Sequence, residues 1–203
     1  MKKYSLTKKT KDYFGITLFQ IKALKSFGSI QKGDLGGWIA KEDNLSQFNN
    51  AWVYGNAQVF GDAWVSGNVW VSDNAKVYGD ARVFGDAWVF GNAEVYGNAE
   101  VYGDAKVCGD AKVSGDAEVY GDAKVYGNAQ VSGNAQVFGK LKLEFGWCFA
   151  RKRKDWTVTE VENEEEILLI KDYKLVEEDE RITIKISKKS LDALKESGIE
   201  IIE

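Results

Sequence analysis

Residues 50–139 read NAWVYG NAQVFG DAWVSG NVWVSD NAKVYG DARVFG DAWVFG NAEVYG NAEVYG DAKVCG DAKVSG DAEVYG DAKVYG NAQVSG NAQVFG. Ninety residues divide into fifteen six-residue units without an insertion. Val holds the fourth place in all fifteen, and Ala the second in fourteen, with Val69 the exception. Asn44 to Asn49 is a worn sixteenth unit. A period this regular outranks every other signal in the chain.

In an extended backbone successive side chains point to opposite faces, so the Ala and Val of each unit share one face. They are the small and branched residues of a narrow core. The third place holds Trp, Lys, Glu, Gln and Arg, which face outward. Gly followed by Asn or Asp punctuates the strands, because these residues tolerate positive φ or cap turns. Single strands this short bury nothing alone. Three of them close a triangular coil, and stacked coils pair their backbones about 4.8 Å apart. Fifteen units over three sides predict five coils, a stack roughly 24 Å tall at that spacing. A helix is excluded, since a Gly in nearly every unit would cost roughly 1 kcal/mol each against Ala.

The flanks lack the repeat. Residues 1–43 form an expected N-terminal β cap, residues 44–143 the β-helix, and residues 144–203 a C-terminal mixed α/β appendage. An uncapped first coil would leave an open sheet edge. Within the cap, Ile16 to Ile21 reads as one or two strands, and Gly33-Asp34-Leu35-Gly36-Gly37-Trp38 as a tight turn delivering the Trp onto the first coil. The cap carries nine Lys against four acids, a net of +5. In the appendage, Trp147 to Ala150 and Trp156 to Val161 read as a hairpin with Arg151, Lys152, Arg153 and Lys154 at its tip. Residues 191–196 read as a short helix.

Composition narrows the chemistry. The chain has no His, which excludes mechanisms that need an imidazole as base, shuttle or metal ligand. Its two cysteines, Cys108 and Cys148, cannot build a disulfide framework or a four-cysteine zinc site. A net charge of −4 lacks the basic excess of a nucleic-acid binder. No apolar run approaches the roughly 20 residues of a membrane span. The start, Met1-Lys2-Lys3-Tyr4, lacks the apolar core of a signal peptide. The expectation is a cytoplasmic protein without cofactor or metal.

The repeat resembles that of the hexapeptide-repeat, left-handed parallel β-helix family. Gly33-Asp34-Leu35-Gly36-Gly37-Trp38, then Asn44-Leu45-Ser46-Gln47, then the Tyr-Gly-Asn-Ala units are similar to YdcK-like members in bacteria and phages. The tail Gly146-Trp147-Cys148-Phe149, with Asp155-Trp156 and Lys171-Asp172-Tyr173, is similar to the closing segment of phage and prophage members. The resemblance implies a left-handed winding. It also implies the transferase label such proteins commonly carry. Family acyltransferases use a catalytic His and often a loop excursion, and residues 50–139 contain neither. A non-catalytic binding or assembly protein is therefore the expectation, with a hexapeptide-repeat acyltransferase as the alternative. The phage resemblance extends it to an inhibitor of a bacterial defence system such as a CRISPR effector.

Residues eighteen apart stack on one side of the prism. Trp52, Trp70 and Trp88 share one column, with Tyr54, Ser72 and Phe90 beside it and Lys106, Cys108, Lys124 and Tyr126 below. With Trp64 on a neighbouring side, these aromatics are the candidate partner-binding or homo-oligomer face. Each buries roughly 150–250 Å² when covered, and three together exceed what a monomer usually leaves wet. The cover is an appendage, a second copy, a protein partner, or a flat ligand stacking on the indoles. Tyr102, Tyr120 and Phe138 form a second aromatic ladder. Asp86, Asp104 and Asp122 form an acidic corner, whose neighbours repel by only about 0.9 kcal/mol if screened as in water. Cys108 lies between Lys106 and Lys124, whose charges would lower its pKa.

Overall fold

The structure, a computed structural model, describes residues 2–150. It is a parallel β-solenoid of three sheets. One, the indole face, stacks six two-residue strands from Trp52–Val53 to Lys142–Leu143. A second, the tyrosine face, stacks five, from Trp64–Val65 to Gln136–Val137. The third, the hairpin face, has nine strands and absorbs both flanks of the repeat. Partners lie eighteen residues apart, as in Trp70↔Trp88 and Val95↔Val113. The two ends depart from this spacing: Trp38 lies opposite Gln58, twenty residues on, and Gln130 opposite Trp147, seventeen residues on.

The stack has about six turns rather than five. Leu45 bridges Val65, so the worn unit forms part of a turn, and Lys142–Leu143 adds a strand below Val125. Trp147–Ala150 also runs parallel to Gln130–Gly133. That segment therefore extends the coil, and the second strand of the expected hairpin lies outside the described residues. The other strands and the helix expected in the appendage, and the basic tip Arg151 to Lys154, lie outside the described residues. No helix among the described residues is long and apolar enough to cross a membrane.

The lumen is the inward column set. Repeat Ala and Val side chains from Ala51 to Val137 are buried, Val69 included. Backbone amides donate to the next coil, as Ser72 N to Val89 O at 3.0 Å and Glu94 N to Ala111 O at 3.0 Å. The corners turn on positive φ. Gly97 has φ +71°, and a Cβ there would lie 3.0 Å from the amide nitrogen of Gly115 in the next coil. Asp73 occupies one glycine place with φ +59°, and its carboxylate accepts the Gly91 amide at 3.0 Å. Asp tolerates the left-handed region better than most residues.

The cap is a long antiparallel hairpin, β1 (Tyr4–Tyr13) and β2 (Ile16–Ala23), followed by β3 (Leu35–Ile39). β3 pairs antiparallel with β2 and parallel with Gln58–Val59, so it forms the layer above the repeat on this face. The glycines Gly36 and Gly37 lie within β3 rather than in the expected turn. A Cβ at Gly36 would come within 2.7 Å of Trp52 Cζ2 and 2.6 Å of Val53 O, so only Gly lets the cap settle on the first coil. Ile21, Ile39 and Leu45 continue the lumen upward. Leu18, Trp38 and Phe60 make a second small core under the hairpin. β1 is the outer edge of its sheet, with a register break between Leu6 and Thr10 and lysines at positions 8, 9 and 11. Bulges and lysines are how edge strands avoid unwanted pairing.

Lys3 and Tyr4 fasten the cap. The buried Lys3 ammonium donates to the carbonyls of Ala51 (2.9 Å), Phe48 (3.2 Å) and Asn49 (3.4 Å). Burial, then the charge of Lys25, pushes its pKa down to about 8. The Tyr4 hydroxyl lies 2.8 and 2.7 Å from the carbonyls of Glu42 and Leu45.

Candidate binding faces

The indole face departs from the expected exposed column at its first member. Trp52 stands in the outward place of its unit but is only 1% exposed. Tyr4 meets it edge-on at 6.1 Å and Phe27 at 5.4 Å. The cap has covered it, which removes Trp52 from any partner-binding face. Trp70 and Trp88 stay 37% and 41% exposed.

Those two indoles are stacked, with centroids 5.4 Å apart and 10° between planes. Tyr54 lies against Trp70 at 5.0 Å, filling the space above Ser72, and Lys106 Nζ lies 4.7 Å from the Trp88 ring centroid. Both faces of each of the two indoles are therefore occupied. A flat ligand could stack on them only by displacing a neighbour. What points outward is ring edges, the positive part of the aromatic quadrupole. Below them Lys106, Lys124 and Lys142 stand in register, a cationic extension longer than the sequence reading assigned. Phe90 and Tyr54 are half-buried beside the indoles. Trp64 is 43% exposed but belongs to the tyrosine face, opposite Arg82. Cys108 corrects another expectation. Burial pushes its thiol up and outweighs the pull of Lys106 and Lys124.

On the tyrosine face Phe84, Tyr102, Tyr120 and Phe138 stack at 4.9 to 5.1 Å with planes within 7°. The expected ladder is present and one rung longer. Beside it Glu100 and Glu118 are in register, and Arg82 reaches Glu100 at 3.7 Å. The Tyr102 hydroxyl donates to Glu118 Oε2 at 3.0 Å. Burial, then that bond to a carboxylate, raises its pKa.

The corner column begins as amides. Asn50 donates to Asn68 at 3.0 Å, and Asn68 to Asp86 at 2.8 Å. Asp86 thus ends a hydrogen-bonded run, while Asp104 and Asp122 carry the corner column on as exposed carboxylates. Among the described residues no group of three carboxylates or thiols is placed to hold a metal ion.

The hairpin face carries features that the sequence reading missed. Lys9 and Lys11 place their ammonium groups 5.6 and 4.6 Å from the Trp38 ring centroid. Tyr13 heads a ladder through Phe60, Tyr78 and Tyr96. At the tip Phe14 is 90% exposed. The signal was Phe14-Gly15 between a polar stretch and the apolar Ile16 to Ile21, a two-residue hairpin loop without its usual Asn or Asp.

The YdcK β-solenoid repeat family matches residues 57–73 and 75–91, two stretches of nearly one turn each. No curated protein matches the chain. With about six stacked turns the chain is a β-solenoid repeat protein, similar to the YdcK repeat over these two stretches.

Proposed function

We propose that this β-solenoid is a non-catalytic binding and assembly module that presents flat faces to a protein partner in the bacterial cytoplasm. One face is aromatic and cationic, the other aromatic and acidic. The observation that carries the reading is the fate of the three indoles. The cap shields Trp52 and leaves Trp70 and Trp88 edge-outward on a rigid sheet. Exposed Trp held in one geometry has little conformational entropy to lose on binding and is over-represented at interface centres. Positive ring edges above a lysine column favour a partner rich in carboxylates and carbonyls.

The lack of His and the unbroken coil support a binding role over acyl transfer. On the phage resemblance the reading extends to occlusion of a host defence complex, a CRISPR effector being the leading case. The test is paired capture from host extract with the wild-type chain and with the Trp70→Ser/Trp88→Ser variant. A protein retained by the first and lost by the second is expected. Equal capture by both overturns the face assignment. Acyl-coenzyme A binding in a calorimeter would overturn the non-catalytic reading.

A further inference from the structure

The hairpin loop between β1 and β2 is built on a strained residue. Phe14 has φ +50° and Gly15 φ +82°, a two-residue turn with both residues left-handed. Asn, Asp or Gly adopts the first place readily, whereas a bulky side chain there costs about 1–2 kcal/mol. Strain of this kind persists where something else requires the residue. Packing within the chain is not that requirement. Phe14 touches Tyr13 edge-on at 4.8 Å and is otherwise exposed among the described residues. The Asp12 side chain is engaged by the turn, accepting the Gly15 amide at 3.2 Å. Lys9 and Lys11 lie over Trp38 on this hairpin, and Lys76, paired with Glu94 at 3.1 Å, places Nζ 5.4 Å from the Tyr13 ring centroid.

The same chain offers the complementary surface. Among the described residues, six corner aspartates from Asp62 to Asp122, together with Glu100 and Glu118, flank the tyrosine ladder. Arg82 meets Glu100 there and Lys41 meets Asp62. We infer that Phe14 anchors a contact between two copies of this chain, the cationic hairpin tip of one seating on the acidic tyrosine face of the other. The two surfaces differ, so the contact is heterologous and leaves the pair one free face and one free tip, on different copies. Copies then add into open strings whose mean length rises with concentration. The contact does not involve Trp70 or Trp88.

Sedimentation velocity of the full chain, up to about 1 mM and at low salt, reads this directly. Expected is a sedimentation coefficient that climbs with concentration and falls back as salt approaches about 0.5 M. Phe14→Asn should weaken association roughly tenfold or more. Because Asn accepts positive φ, the same variant should melt no lower than wild type, so lost association cannot be misfolding. Asp104→Lys/Asp122→Lys should also stay monomeric. Lysine suits that column, since Lys140 occupies the next place in it. Mixing the two variants should give a one-to-one complex, because each retains the surface the other lacks. A wild-type monomer throughout, or association untouched by Phe14→Asn, overturns the inference. A mixture that fails to pair does the same. If Trp70→Ser/Trp88→Ser keeps self-association while losing its partner, the two surfaces are independent.

Discussion

The ring of Trp70 lies 5.4 Å from that of Trp88 and within 10° of parallel, although the two residues are eighteen positions apart in the chain. The coil imposes that geometry by pairing their backbones in register. Such a pair contributes about 0.5–1.5 kcal/mol beyond its buried area. A double-mutant cycle on Trp70→Ala and Trp88→Ala in urea should return a coupling in that range. A coupling near zero would mean that the rings are held by the sheet alone.

Trp52 and Trp64 occupy the same place in their units yet should respond oppositely to truncation. Trp52→Ala empties a site under Tyr4 and Phe27 and should cost about 3–5 kcal/mol. Trp64→Ala removes a half-exposed ring and should cost less than about 1 kcal/mol. Chemical denaturation of both variants checks the contrast.

The difference between those two residues marks where sequence reading stops. Whether Val95 faces inward follows from a rule spanning six residues, so every lumen position within the fifteen units was legible, whereas Ile21 and Ile39 of the cap were not. The fate of Trp52 depends on Phe27 and Tyr4, which reach it through the path of a non-repeating cap. The turn count was short by one because Leu45 and Leu143 complete coils without matching the repeat. Ladder membership could be read at a spacing of eighteen. Ring orientation could not, since it depends on which neighbour fills each gap, as Tyr54 does above Ser72. The strain at Phe14 is a backbone property that residue identity alone does not reveal.

At the corners Gly97→Ala should lower stability by about 2 kcal/mol or more. It adds left-handed strain and a Cβ against the backbone of Gly115, which the ladder holds in place. Asp73→Gly should stay within about 1 kcal/mol of wild type, because relief of strain offsets loss of the bond to Gly91. Asp73→Ala keeps the strain and loses the bond, so it should be the worse of the two. Urea midpoints order the three variants.

Stability should also carry a pH signature from the buried ammonium of Lys3. Its pKa falls from 10.5 unfolded to about 8 folded. Below pH 8 both states hold the proton, and the cost of burying the charge is constant. Between pH 8 and 10.5 the folded chain has released it while the unfolded chain has not, so stability rises with pH. Tyr4, Tyr78 and Tyr102 act with the opposite sign. Burial first, then nearby carboxylates, raises each above its usual 10, so stability falls as the unfolded chain ionises from about pH 10. Burial also raises the thiols of Cys108 and Cys148, which oppose the lysine from pH 9 upward. The clean observable is therefore the difference between wild type and Lys3→Met, in which the shared groups cancel. That difference should move in favour of wild type by on the order of 1–2 kcal/mol between pH 8 and 10.5, after discounting for solvent screening. A difference that stays flat across this window would show that the three carbonyls of Phe48, Asn49 and Ala51 hold the ammonium charged throughout.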